Sequence, residues 1–142
     1  MGHAKSIGML VGLHTGGCDP DALATLLPLC DWVGLDIKAP WGMYQRTTGD
    51  PASGYAARDS LRLLLESGTP HESRTTWHPS LLAADDIAET ARQLHAEGER
   101  TWAIQACRSA GTTHALPDIV PTADDVPQAA WDLFPNLTFR PA

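Results

Sequence analysis

Cysteine is scarce in this chain: Cys18, Cys30 and Cys107 are the three among 142 residues. Thiols so few and so widely spaced exclude a disulfide scaffold. No two stand at CxxC spacing, so a structural zinc site is unsupported. An odd thiol remains whatever pairs, which suits a reducing cytoplasm with each Cys acting as a small core residue. Basic residues are scarce too. Ten Lys and Arg face seventeen Asp and Glu, for a net charge of -7. They form no run, and sequence-independent binding to nucleic acid needs clustered cations, so none is expected. Long apolar runs are also missing. Nothing reaches the ~20 residues of a membrane span. Residues 7–13 after Lys5 faintly resemble a signal peptide, but Gly8 and Gly12 interrupt the run and it leads straight into strand-like sequence.

What is present fits one folded domain with a real core: hydrophobic residues make up 43% and charged residues 19%. Two periodicities alternate along it. MLVGLH (9–14) reads as a strand, Gly16 and Gly17 as a turn, and Asp19-Pro20 as the capped start of a helix carrying Leu23, Leu26 and Leu27. WVGLDIK (32–38) is a second strand. Residues 39–54 are rich in Pro, Gly and Asp and read as a long loop with room for an irregular helical turn. Trp41, inside it, is expected to be exposed. Residues 55–67 form a helix ended by Gly68, 71–77 a third strand, 84–97 a helix ended by Gly98, and 101–107 a fourth strand. Thr122 and Asp125 have capping-box spacing before a short helix to about Phe134, and LTFR (137–140) suits a last strand. The stretch 109–121 has no period and reads as loop.

This β/α alternation demands parallel strands joined by crossover helices. An open doubly wound sheet and part of a (β/α) barrel both satisfy it. In either, function gathers at the C-terminal ends of the strands. Those ends are polar here: His14 and Thr15, then Asp36 and Lys38, then Arg74, Thr75, Thr76 and His78, then Gln105 and Arg108. Period 2 puts Val33, Leu35 and Ile37 on one face of the second strand and Gly34, Asp36 and Lys38 on the other. An ion pair explains Asp36 and Lys38 alone. Polar tips on every strand favour a polar small-molecule ligand, since buried polar groups need partners. Gly34, lacking a side chain, leaves room for an approach. His14 and His78 are weaker candidates, and HTGGCD is only distantly similar to a phosphate-binding loop. An unrelated small α/β enzyme would use His78 or Asp36 as general base.

The motifs occur in a recognisable order. LHTGG (13–17), DWVGLDIKAP (31–40), a Tyr-containing loop leading to TTG (47–49), SLRLLLESG (60–68), SRTTWHPSLL (73–82) and AIQACR (103–108) resemble the second half of radical S-adenosylmethionine activating enzymes. The closest likeness is to the anaerobic ribonucleoside-triphosphate reductase activating proteins, with pyruvate formate-lyase activating enzyme as a relative. The match spans roughly residues 9–108. The resemblance implies a radical SAM-type partial (β/α) barrel whose strand ends hold S-adenosylmethionine against a 4Fe-4S cluster. It implies an oxidoreductase that makes a 5′-deoxyadenosyl radical and removes a hydrogen from a glycine of a partner, a glycyl-radical enzyme such as anaerobic ribonucleotide reductase. Carried over motif by motif, the cofactor-binding residues are His14, Thr15, Asp36, Lys38, Arg74, Gln105 and Arg108. None is assigned as catalytic or as a metal ligand. The relative has an acidic residue where His14 stands. The CxxxCxxC motif that supplies three cluster ligands, and the glycine-rich segment that binds the methionine amino group, lie upstream in the family and are absent here. The expectation is a C-terminal half that does not cleave S-adenosylmethionine alone. The alternative is a non-catalytic domain binding an anion or a partner. A half barrel exposes an edge strand, which a homodimer or the missing N-terminal half would cover.

Overall fold

In the computed structural model, residues 1–107 and 115–142 are described. Five strands form one parallel sheet: β1 (Gly12–Thr15), β2 (Trp32–Asp36), β3 (His71–Trp77), β4 (Trp102–Ala106) and β5 (Thr138–Arg140). Between them lie α2 (Pro20–Leu26), α3 (Tyr44–Thr48), α4 (Ser53–Ser67), α5 (Ala84–Glu97) and α6 (Gln128–Leu133), with a short α1 (Gly2–Ser6) ahead of β1. The strands lie in sequential order, β1-β2-β3-β4-β5. A doubly wound sheet reverses order at a switch point. This sheet has no reversal, and right-handed crossovers then place every connecting helix on the same face. That is the arrangement of a stretch of (β/α) barrel, and it decides between the two architectures.

Burial agrees. Val33, Leu35, Ser73, Thr75, Trp77, Trp102 and Ile104 point to the helix side and are buried. They meet Leu61, Leu64, Ile87, Ala91 and Leu94 of α4 and α5 in the core. The two hydroxyls on this side have partners: Thr75 Oγ1 accepts from Trp102 Nε1 at 3.1 Å, and Ser73 Oγ donates to Glu99 at 2.5 Å. Among the described residues no helix covers the opposite face in this way. It carries Gly12, His14, Trp32, Gly34, Asp36, Glu72, Arg74, Thr76, Ala103, Gln105, Thr138 and Arg140, and apart from Gly34 and Ala103 these are partly or fully exposed.

Local chemistry sets the helix ends. Asp19 Oδ1 accepts from Ala22 N at 2.9 Å, and Pro20 follows it. Gly68 and Gly98 close α4 and α5 with φ of 67° and 100°. Asp125 Oδ2 does accept from both Thr122 N and Thr122 Oγ1 at 2.8 Å, but this caps a single 3-10 turn, and α6 begins only after Pro127.

Two expectations are corrected. β1 starts at Gly12 rather than Met9, because Asp31 takes the Val11 N–H at 2.7 Å while Met9 and Leu10 lie exposed. Trp41 is buried, 6% exposed, rather than on the surface. Its N–H donates to Gln93 Oε1 of α5 at 2.8 Å. The bare Cα of Gly54 lets α4 close onto the Trp41 carbonyl, where any side chain would collide.

Candidate functional site

The strand register stacks the polar residues of the uncovered face into rows. His14, Gly34 and Glu72 form the lowest. Asp36, Arg74, Ala103 and Thr138 form the next. Thr76, Gln105 and Arg140 stand above, towards the C-terminal ends. Lys38 follows β2 on the same side, with Nζ 3.8 Å from Asp36 Oδ2. Tyr44 holds this end of the strand, since its hydroxyl accepts from Lys38 N at 3.1 Å. Burial drives the Tyr44 hydroxyl well above its ordinary pKa, so it stays protonated.

Arg74 is the centre. Its Nη2 donates to Asp36 Oδ1 at 2.7 Å, and its side chain is 16% exposed. Its Nε is buried and has no hydrogen-bond partner among the described residues. A buried charged donor without an acceptor is costly. Such an atom at the strand ends of an open face suits a ligand carboxylate or hydroxyl. Glu72 is engaged elsewhere: both its oxygens accept from Arg140, each at 2.8 Å. That pairing raises the Arg140 guanidinium pKa further. Lys38, Arg74 and Arg140 face two carboxylates, Asp36 and Glu72, so this face leans positive in an acidic chain.

Beside these residues a cleft of about 180 Å³ opens between Asp36, Lys38, Thr47, Thr76, Leu81 and Cys107. Ligand pockets typically hold ~300–1,000 Å³, so this cleft contains part of a ligand rather than all of one. A larger depression, about 410 Å³, lies between α2 and α4 at Leu27, Leu63 and Glu66. Its polar lining is Glu66, Ser67 and Thr69, and it lies towards the start of β3, at the opposite end of the sheet from Asp36 and Lys38.

The expected site residues are therefore only partly assembled. Asp36, Lys38, Arg74 and Gln105 share the uncovered face near its C-terminal edge. His14 shares the face but sits lower, with its ring edge-on to Trp32 at 5.3 Å. The space expected above Gly34 is filled by those two rings, since a Cβ there would lie 2.8 Å from each. Thr15 is level with Leu35 on the helix side, and its Oγ1 accepts from Gly17 N at 3.1 Å. Arg108 lies outside the described residues. His78 is consumed by structure: Nε2 donates to the Pro117 carbonyl at 3.0 Å, and Nδ1 accepts from Ser80 N at 3.1 Å. It has no free nitrogen for general-base work. The HTGGCD turn is structural too, because a Cβ on Gly17 (φ 66°) would meet Leu35 and Ser60 at 2.9 Å.

Glu72 and Arg140 escaped sequence reasoning. Glu72 alternates with Arg74 along HESRTTW, which was the available signal. Its partner stands 68 residues away.

The thiols do not converge. Cys30 precedes β2 at the N-terminal end of the sheet, whereas Cys107 follows β4 at the other end. Among the described residues no group of three or more His, Cys, Asp or Glu is placed to hold a metal ion. A 4Fe-4S cluster therefore does not fit this donor set. S-adenosylmethionine fits better, because its carboxylate or hydroxyls would satisfy Arg74 Nε.

No helix among the described residues is long and apolar enough to cross a membrane. No protein-family model and no curated protein matches the chain. Among solved structures it is similar to the crystal structure of a domain of pyruvate-formate lyase-activating enzyme from Bacteroides vulgatus ATCC 8482. The TM-score is 0.73 at 12% identity, over 96% of this chain and 84% of that one. At that identity the likeness is one of fold: the chain has the α/β architecture of a domain from an activating enzyme.

Proposed function

We propose that this chain is the C-terminal half of a radical S-adenosylmethionine activating enzyme acting on a glycyl-radical enzyme, closest in kind to the anaerobic ribonucleoside-triphosphate reductase activating proteins. It keeps one side of the S-adenosylmethionine site. The observation that carries this reading is the buried Arg74 Nε, unpartnered among the described residues, on the open face beside Asp36 at the end of β2. The ordered motifs and a neighbour that is itself a domain of an activating enzyme support it. Arg74 and Lys38 would receive the cofactor's anionic end, Asp36 would orient Arg74, and Gln105 would offer a neutral hydrogen bond. In the activating enzymes that the motifs resemble, the chemistry such a cofactor would supply is a 5′-deoxyadenosyl radical; the residues named here would only hold and orient it. The cluster ligands are not in this chain, so by itself it binds without cleaving.

A second reading is a non-catalytic domain that binds anions. The three cations against two carboxylates on the open face favour it. Titrating S-adenosylmethionine and, separately, inorganic phosphate into anaerobically prepared protein separates the two. Saturable S-adenosylmethionine binding, with no 5′-deoxyadenosine after iron-sulfur reconstitution, is expected. Phosphate binding without S-adenosylmethionine binding favours the second reading. Robust 5′-deoxyadenosine from the isolated chain overturns the claim that it is incomplete.

A further inference from the structure

Glu72 and Arg74 stand two residues apart on β3, so both side chains project from the uncovered face. Two rises of about 3.3 Å separate them, which long side chains span easily. Arg74 thus has two carboxylates near it, Asp36 on the adjacent strand and Glu72 on its own. It bonds to Asp36 and leaves Nε without an acceptor. The reason lies across the sheet. Arg140 on β5 stands level with Gln105, yet its guanidinium reaches back over β4 to take both Glu72 oxygens at 2.8 Å. Small Ala103, buried in the row between, leaves the lane open. With both oxygens on Arg140, the Glu72 charge is already matched by one guanidinium, so a second gains less from it.

We infer that the Glu72–Arg140 pair is a positioning device, in which Arg140 sequesters Glu72 so that the buried Arg74 Nε is not taken by a second carboxylate of the protein and is left for an acceptor atom of the ligand. This rests on the reading that S-adenosylmethionine binds the open face. Without Arg140, Glu72 is a largely buried carboxylate left without its partner, two residues from Arg74 on the same face of β3. It swings onto Arg74 and occupies the place meant for the ligand. Neither Glu72 nor Arg140 touches the ligand. Both act through Arg74.

The test is a cycle of four chains: wild type, R140M, E72Q and R140M/E72Q. S-adenosylmethionine affinity is measured by calorimetry. R140M is expected to weaken binding by about tenfold or more, the loss of one charge-assisted bond. E72Q keeps wild-type affinity, since no carboxylate remains to capture Arg74, and the double variant regains what R140M lost. A merely structural pair predicts that R140M and E72Q lose alike and that the double variant does no better. That result overturns the inference. The second readout needs no ligand: the Arg74 Nε–H resonance, assigned by its disappearance in Arg74→Lys. It should move in R140M and stay in E72Q. If wild type binds no S-adenosylmethionine, the functional reading falls, and the resonance alone decides the inference. An unmoved Arg74 signal in R140M then overturns it. Should R140M not fold, R140K keeps the charge but loses the fork, and is expected to move the signal in the same direction.

Discussion

Strand β3 carries two charged clusters, one on each face, and they are built differently. At its N-terminal end Glu99 is 1% exposed and fully used. It accepts from Ser73 Oγ at 2.5 Å, Arg100 N at 2.7 Å, Thr101 N at 2.8 Å and His71 Nε2 at 3.2 Å. Burial alone would raise its pKa, but the bonds from His71, Ser73 and Thr101 outweigh that and hold it below the ordinary value. His71 is equally committed. Its Nδ1 faces the Thr69 carbonyl at 2.9 Å while Nε2 faces the Glu99 carboxylate, and neither partner can donate. Both nitrogens therefore donate, and the ring is held as the cation. Towards the C-terminal end, on the other face, Arg74 holds Asp36 with one nitrogen and nothing with another. A closed cluster stabilises a fold. An open one waits for a ligand.

Mutations should separate the two. The largest effect belongs to the closed end: Glu99→Ala removes the acceptor of four bonds and should cost about 3 kcal/mol in urea unfolding, as broken buried pairs do. Next comes pH. The hydrogen bond to Glu99 raises the His71 pKa above 6.5. Its contribution is therefore complete below the unfolded value of about 6.5 and fades as pH rises through the folded one. Glu99, lowered from 4.5, contributes above that value and loses its share as pH falls. Urea midpoints followed from acid to mildly alkaline pH should show both limbs, and His71→Gln should flatten the alkaline one. At the open end, Arg74→Met should change stability by no more than about 1 kcal/mol, since it removes an unsatisfied donor along with a partly exposed ion pair. It should nevertheless weaken S-adenosylmethionine binding about tenfold or more in calorimetry. The smallest stability effect is that of Lys38→Ala, within about 0.5 kcal/mol, with its loss seen in ligand affinity.

The same contrast explains what could be read in advance. Asp19, Pro20, Gly68 and Gly98 act on their own few residues, so helix ends were legible from them. The span of β3, 71–77, was legible from its flanks, and the shared face of Gly34, Asp36 and Lys38 from period 2. Trp41 was not, because its burial depends on Gly54 and Gln93, brought to it by folding. The resemblance carried Thr15 over together with His14, as the pair before the turn, but one residue along a strand reverses the face, and Thr15 stands level with Leu35. The Glu72–Arg140 pair closes over 68 residues and three strands, and no local pattern announces it.

The most direct measurement is S-adenosylmethionine binding to three anaerobically prepared proteins, wild type, Arg74→Met and His71→Gln. Saturable binding that weakens about tenfold or more in Arg74→Met and persists unchanged in His71→Gln is the expected result. Absent binding, or equal binding in all three, contradicts the claim that the open cluster is the ligand site.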